Sequence, residues 1–217
     1  HCLTGGGQRS SQVVSQDPAT GWRWDGNGKE MIDILTKAAL DAGQAIMAVH
    51  RAGPNVSYKD DCSPVTEADQ RAETIILQAL AANFPEIPVI AEEAVSNGIL
   101  PETGREFFLV DPLDGTKEFI SGKDDFTVNI ALIRNGVPVA GVVYAPCRGQ
   151  AWTGKDNGAE KLAISGEGAI LARSVDDIVE VVADPARRLA RDLQFQLDGL
   201  HSAPAATANK EFSSSRN

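Results

Sequence analysis

The sequence predicts an α+β or layered α/β domain. Two amphipathic helical patterns come first and a run of short strand patterns follows, with Asn135-Gly136 as a strong two-residue hairpin signal between two of them. This order favours helices packed on an antiparallel sheet over a βαβ repeat, in which helices and strands would alternate. The 217 residues are enough for one medium domain or two small lobes.

The first helix is predicted from Met31, where apolar residues begin to recur at steps of three and four, to Gly53-Pro54. A short extended piece follows at Val56 to Tyr58. The second helix is predicted from Thr66 to about Ala82. Strands are then predicted at Val89 to Ala91, Phe107 to Val110, Phe126 to Ile133, Val137 to Tyr144 and Ala151 to Thr153.

Composition restricts the function. The formal net charge of −10 disfavours a nucleic-acid-binding surface. No apolar run approaches the roughly 20 residues that span a bilayer, and no signal peptide is evident, so we expect a cytoplasmic protein without a transmembrane segment. The three scattered cysteines argue against disulfides and structural zinc. A bound metal would therefore take oxygen ligands, as Mg²⁺ does.

The candidate site is the run Asp111-Pro112-Leu113-Asp114-Gly115-Thr116, which follows a buried strand. Two carboxylates, the Leu113 carbonyl and a Glu from the neighbouring strand, which ends on Glu92-Glu93, would make an oxygen cage suited to Mg²⁺. Two such ions about 3.5–4 Å apart can activate water and stabilise a leaving oxygen. Taken alone, the run favours a simple turn. Combined with Glu92-Glu93 and with Thr66-Glu67-Ala68-Asp69 upstream, it indicates a metal site.

Gly115 and Thr116 add a second element. Backbone N–H groups at the start of a helix bind phosphate oxygens, and glycine permits close approach. The Thr116 hydroxyl can hold an attacking water. We expect Asp124-Asp125 to be loop carboxylates and Trp152 to pack in the sheet.

Four runs resemble the inositol monophosphatase family. They are S-P-V-T-E-A-D (63–69), A-E-E (91–93), D-P-L-D-G-T-K-E-F (111–119) and F-T-V-N-I-A-L (126–132). Lys117-Glu118-Phe119 and G-V-V-Y-A-P (141–146) look most like its 3'(2'),5'-bisphosphate nucleotidase branch. The resemblance implies the family's sugar-phosphatase fold, with a lobe of two helices and an antiparallel sheet.

The resemblance also implies roles. Glu92, Asp111, Asp114 and the Leu113 carbonyl would bind two or three Mg²⁺ ions. Thr116, with Asp69 as its orienting partner, would position the nucleophilic water, and Glu92 would help to polarise it. The phosphate would be held by Gly115, Thr116 and Lys59. The implied substrate is adenosine 3',5'-bisphosphate or its 5'-phosphosulfate relative, with lithium as an inhibitor, and relatives range from monomers to homodimers.

One family signature is missing. No Trp-Asp-x-Ala-Ala-Gly run, whose Asp completes the second metal site, follows residue 160. We therefore expect a disordered extension over 1–30, a metal-binding phosphatase lobe over 31–160, and a divergent or incomplete second lobe over 161–217. Two alternatives stay open: an inositol-phosphate or other sugar-phosphate monoesterase, and a truncated, inactive homologue that only binds metal.

Overall fold

The computed structural model describes residues 15–16, 23–24, 28–58, 64–155 and 158–176. Its helices are α1 (Gly28–Ala52), α2 (Glu67–Asn83), α3 (Glu92–Ser96) and α4 (Thr116–Ile120). Its strands are β1 (Ser15–Gln16), β2 (Arg23–Trp24), β3 (Val56–Tyr58), β4 (Pro64–Thr66), β5 (Val89–Ala91), β6 (Glu106–Asp114), β7 (Thr127–Arg134), β8 (Val137–Ala145), β9 (Gln150–Lys155), β10 (Gly158–Ile164) and β11 (Ile170–Asp176). A 3₁₀ turn, Pro146–Arg148, joins β8 to β9.

The two predicted helices are confirmed, with ends within about three residues of the prediction. Leu35 and Ile46 of α1 and Ile76 of α2 are fully buried, as their helical spacing predicted. The α2 helix begins with a capping box, in which the Thr66 hydroxyl accepts from the N–H of Ala68 and the Asp69 carboxylate accepts from the N–H of Thr66. No helix among the described residues is long and apolar enough to cross a membrane.

The main sheet has seven strands in the order β11-β10-β9-β8-β7-β6-β5. The predicted hairpin is confirmed, since Asn135 and Gly136 between β7 and β8 both have positive φ, as a type I′ turn requires. The sheet is antiparallel, as predicted, except at one edge, where β5 pairs with β6 in parallel. The α3 helix and the loop after it form the crossover that a parallel pair needs.

The strands β1, β2, β4, β10 and β11 were not predicted, and the last two extend the main sheet. β10 lies across residue 160, where the sequence analysis placed the end of the lobe, and β11 pairs with it at the far edge of the sheet. Only Leu162 and Ile164 of β10 enter the core, so the pattern of hydrophobic residues there is weak. Residues 158–176 therefore continue the sheet of the predicted lobe.

The core lies between one face of the sheet and the α1–α2 pair. The side chains of Phe108, Ile130 and Val142, from β6, β7 and β8, pack there against both helices. A smaller cluster on the opposite face includes Leu109 and Val95, which α3 contributes. The first cluster fixes α2 against β6 and brings the start of α2 close to the end of that strand.

Candidate active site

The end of β6 carries the central feature of the site. The strand was predicted to end at Val110, but it continues to Asp114. It does so through a bulge, in which Pro112 and Leu113 lie opposite a single residue of β7. Residues three apart in a regular strand face opposite sides, because side chains alternate. The extra residue of the bulge cancels that alternation, so the side chains of Asp111 and Asp114 can share one face. A bulge also accommodates Pro112, which cannot donate to the ladder.

Glu92 joins these two aspartates through the parallel pairing of β5 with β6. Ala91 lies opposite Val110, so the next residue of each chain, Glu92 and Asp111, emerges at the same edge of the sheet. Burial of Asp111, followed by the charges of Glu92 and Asp114, raises its pKa well above the usual range of an aspartate. The N–H of Leu113, which donates to Asp111 Oδ1 at 3.2 Å, acts in the opposite direction. The structure thus brings Glu92 and Asp114 close enough to Asp111 to act on its charge.

Thr116 and Asp69 are also brought together, although 47 positions separate them. The Thr116 hydroxyl lies 3.1 Å from Asp69 Oδ1 and 3.1 Å from the Leu113 carbonyl oxygen. Asp69 is only 1% exposed, and its Oδ2 accepts from both the N–H and the hydroxyl of Thr66, at 2.7 and 2.6 Å. The capping box of α2 therefore fixes the carboxylate that orients Thr116.

Gly115 lies between the two groups in a left-handed conformation, with φ of +98°. A Cβ at this position would lie 2.8 Å from the carbonyl oxygen of Asp125 and 3.2 Å from Phe126 Cα. Any other residue would therefore be strained and crowded here. Glycine allows the chain to turn from β6 directly into α4, whose first residue is Thr116.

Sequence reasoning missed Asn129, which lies opposite Asp111 on β7. Its Nδ2 donates to Asp114 Oδ2 at 3.2 Å, and the residue is only 6% exposed. Its Oδ1 is buried and has no hydrogen-bond partner within the part of the chain that the structure describes. A polar residue in an apolar strand pattern was the available signal, since a buried amide needs partners on neighbouring elements.

A cleft of about 370 Å³ opens beside Asp114 and Gly115. Phe126 and Thr127 form part of its wall, together with four residues that the sequence analysis gave no role: Glu118, Asp124, Asp125 and Trp152. Arg148 also lines the cleft and pairs with Asp125. Asp124-Asp125 and Trp152 thus reach a surface that their local sequence did not indicate.

The oxygen atoms at the end of β6 are of the type that binds hard divalent cations such as Mg²⁺. Glu92, Asp111 and Asp114 offer carboxylate oxygens. The raised pKa of Asp111 reflects its burial first and the charges of Glu92 and Asp114 second, and a bound cation would offset those charges. Within the described residues, no three His, Cys, Asp or Glu side chains are grouped so that they could hold a metal ion by themselves. The Leu113 carbonyl and water would thus have to complete the coordination. Lys59, the predicted phosphate ligand, lies outside the described residues.

Comparison with known proteins decides the family. A family model, described as the inositol monophosphatase family, matches residues 27–204, which is more than half of the chain. The chain belongs to the inositol monophosphatase family. The match continues beyond residue 160, where the resemblance in the sequence motifs ends.

Individual proteins of this family are similar to the chain in sequence and in structure. The 3'(2'),5'-bisphosphate nucleotidase CysQ of Salmonella typhimurium is 46% identical over 132 residues, covering 56% of this chain and 54% of the relative. CysQ of Bacteroides thetaiotaomicron is 35% identical, with a TM-score of 0.53 over 69% of this chain and 54% of that one. The Thermotoga maritima IMPase has a TM-score of 0.55 at 27% identity, over 63% and 54% of the two chains.

These structures confirm the predicted fold. The chain spans about half the length of the curated relatives it matches.

Proposed function

We propose that this chain forms the catalytic face of a Mg²⁺-dependent phosphate-monoester hydrolase that removes the 3'-phosphate of adenosine 3',5'-bisphosphate or of its 5'-phosphosulfate relative. The observation that carries the proposal is the convergence of Glu92, Asp111 and Asp114 beside the linked pair Thr116 and Asp69. The names of the CysQ relatives support the substrate class.

Glu92, Asp111, Asp114 and the Leu113 carbonyl would hold the cations, two or three as the family resemblance implies. Bound Mg²⁺ would supply a water of lowered pKa and offset negative charge on the phosphate oxygens. Asn129, through its amide donor, holds Asp114 Oδ2 and so limits the directions in which the other carboxylate oxygen can point. Such supporting contacts commonly tune metal affinity.

The attacking water would be positioned by Thr116. When the Thr116 hydroxyl donates to Asp69 Oδ1, its oxygen is left with lone pairs that can accept a proton of a water on the other side. Asp69 holds this orientation because its second oxygen is occupied by Thr66. The Glu92 carboxylate would accept a hydrogen bond from the same water and help to polarise it. In-line attack on phosphorus then needs no covalent intermediate with the protein.

The phosphate would be held by the backbone N–H groups of Gly115 and Thr116. Gly115 lines the cleft and lacks the Cβ that would lie against Asp125. Without a side chain at this position, a phosphate in the cleft could approach the backbone of Gly115 closely. Lys59 remains a proposed phosphate ligand from the family resemblance.

The test is phosphate release from adenosine 3',5'-bisphosphate, with and without Mg²⁺ and with Li⁺ added. We expect Mg²⁺-dependent, lithium-sensitive release that Asp114→Asn lowers by at least about a hundredfold, because a metal ligand is lost. Asp41→Asn is a matched control, since Asp41 is half-exposed on α1 and pairs with Lys37. Full turnover in Asp114→Asn would reject the assignment.

Two outcomes would favour the alternatives. Faster turnover of inositol 1-phosphate or another sugar phosphate than of the nucleotide would indicate the sugar-phosphate monoesterase, which the structural likeness to the Thermotoga maritima IMPase supports. Mg²⁺ binding by calorimetry, without turnover of any phosphate ester, would indicate an inactive metal-binding homologue.

A further inference from the structure

The cleft beside Gly115 has an uneven distribution of charge. Its walls carry four carboxylates, Asp114, Glu118, Asp124 and Asp125. Among the described residues that line it, Arg148 is the only cation. A substrate with two phosphates could place one at the Mg²⁺-binding carboxylates, but the second would meet repulsion everywhere along these walls except near Arg148.

Arg148 is able to exchange partners. It lies at the end of the 3₁₀ turn after β8 and pairs with Asp125, with 56% and 61% of the two side chains exposed. Exposed ion pairs of this kind contribute little to stability. A guanidinium binds the oxygens of a phosphate in a bidentate way, and a phosphate monoester carries more charge than one carboxylate. Arg148 can therefore leave Asp125 for a phosphate at small cost to the fold.

Trp152 provides the other half of a nucleotide site. It is half-buried on β9 and lines the same cleft as Arg148. The ammonium of Lys161, on the neighbouring strand β10, lies 5.4 Å from the centroid of its ring and steadies the indole. The face of an indole ring in a cleft can stack against any nucleobase, because every base has a π-face.

We propose that the Arg148–Trp152 end of the cleft binds the part of the substrate that is distant from the hydrolysed ester. Arg148 takes the second phosphate after releasing Asp125, and Trp152 takes the base. The inference rests on the proposed function, because it assigns the two remaining groups of a nucleoside bisphosphate to residues of the same cleft. It makes Arg148 the residue that distinguishes a bisphosphate from a monophosphate.

The test measures binding of 5'-AMP and adenosine to the full chain by calorimetry, without divalent cations so that Mg²⁺ at the carboxylates does not attract the phosphate. 5'-AMP keeps the second phosphate and lacks the ester that is hydrolysed. We expect 5'-AMP to bind about tenfold more tightly than adenosine, as one charge-assisted contact predicts. Arg148→Gln removes this difference, and Asp125→Asn, which frees Arg148, enlarges it.

Two further variants separate the contacts. Arg71→Gln is the matched control, because Arg71 pairs with Glu67 on the exposed side of α2 and should keep the preference. Trp152→Leu should weaken 5'-AMP and adenosine by the same factor and leave their ratio unchanged. Equal binding of 5'-AMP and adenosine by the unsubstituted chain, no binding of either, or an unchanged preference in Arg148→Gln would overturn the inference.

The outcome also distinguishes the inference from the proposed function. A chain that shows the Arg148-dependent preference but releases no phosphate from adenosine 3',5'-bisphosphate retains the nucleotide site and loses the proposed activity. A chain that releases phosphate while Arg148→Gln keeps the preference has the activity and rejects the site.

Discussion

Replacement of Gly115 by alanine tests how the chain turns into the active site. Gly115 and Gly122 lie at opposite ends of α4 and both have positive φ, +98° and +69°. They differ in their surroundings. A Cβ on Gly115 would lie 2.8 Å from the Asp125 carbonyl oxygen, whereas a Cβ on Gly122 would have no heavy atom of the described residues within 4 Å apart from those of its chain neighbours. Gly122→Ala is therefore a matched control that carries the backbone strain without the crowding.

The expected magnitudes follow from these two contributions. A left-handed conformation costs an L-residue about 1–2 kcal/mol, and alanine recovers about 0.4–1 kcal/mol by restricting the unfolded chain. Gly122→Ala should thus lower the free energy of unfolding by roughly 1 kcal/mol. Crowding adds about 1–3 kcal/mol when no flexible side chain can move away. Gly115→Ala should consequently lose about 2–4 kcal/mol.

Urea unfolding followed by tryptophan fluorescence measures both free energies, provided that the m-values match. Gly115→Ala should also lose most of its phosphate release under conditions in which it remains folded, because the Asp125 and Thr116 segments must shift. Losses of stability in the two variants that agree within about 0.5 kcal/mol would show that the contact with Asp125 is not rigid. That result would refute the reasoning about close approach at Gly115.

Three further predictions concern single side chains. Because burial and neighbouring carboxylates raise the pKa of Asp111, the folded state binds more protons than the unfolded chain above about pH 4, and stability falls as pH rises towards the raised pKa. Asp111→Asn should therefore stabilise the metal-free protein at neutral pH and flatten this dependence in urea unfolding with EDTA; parallel curves would contradict it. Asn129→Ala should weaken Mg²⁺ binding, measured by calorimetry, by about tenfold through loss of its bond to Asp114, and unchanged affinity would show that this bond does not matter. Partial burial, followed by the charge of Asp124, raises the pKa of the half-buried Cys147 to about 11. In a chain with Cys2 and Cys62 replaced by Ser, its alkylation at neutral pH should therefore be about 100-fold slower than that of a free thiol. A normal rate would contradict this shielding of the thiol.

Local patterns were sufficient for several features of the fold. The helices α1 and α2 follow from the spacing of apolar residues, and the hairpin follows from Asn135-Gly136, because both signals act within a few residues. The strand β5 was predicted with its observed ends. β10 and β11 were missed, because few side chains of β10 are buried and residues 170–174 of β11 are exposed, so neither strand has a strong hydrophobic pattern.

Long motifs were sufficient to indicate the family. The same motifs led to the proposal of Glu92, Asp111, Asp114, Thr116 and Asp69 as site residues. The sequence could not supply the bulge in β6, which depends on how β6 pairs with β7. Without that pairing, the side chains of Asp111 and Asp114 have no reason to share a face.

The sequence by itself determined the types of the main elements and the family, and it led to the proposal of the site carboxylates and their hydroxyl partner. Only the tertiary structure decided that Asn129 meets Asp114 and that Arg148, Asp125 and Trp152 share the cleft beside Gly115. The physical reason is range. Helix periodicity, turns and capping are set by neighbours in the chain, whereas these contacts join strands and loops whose register is set by the packing of the whole sheet.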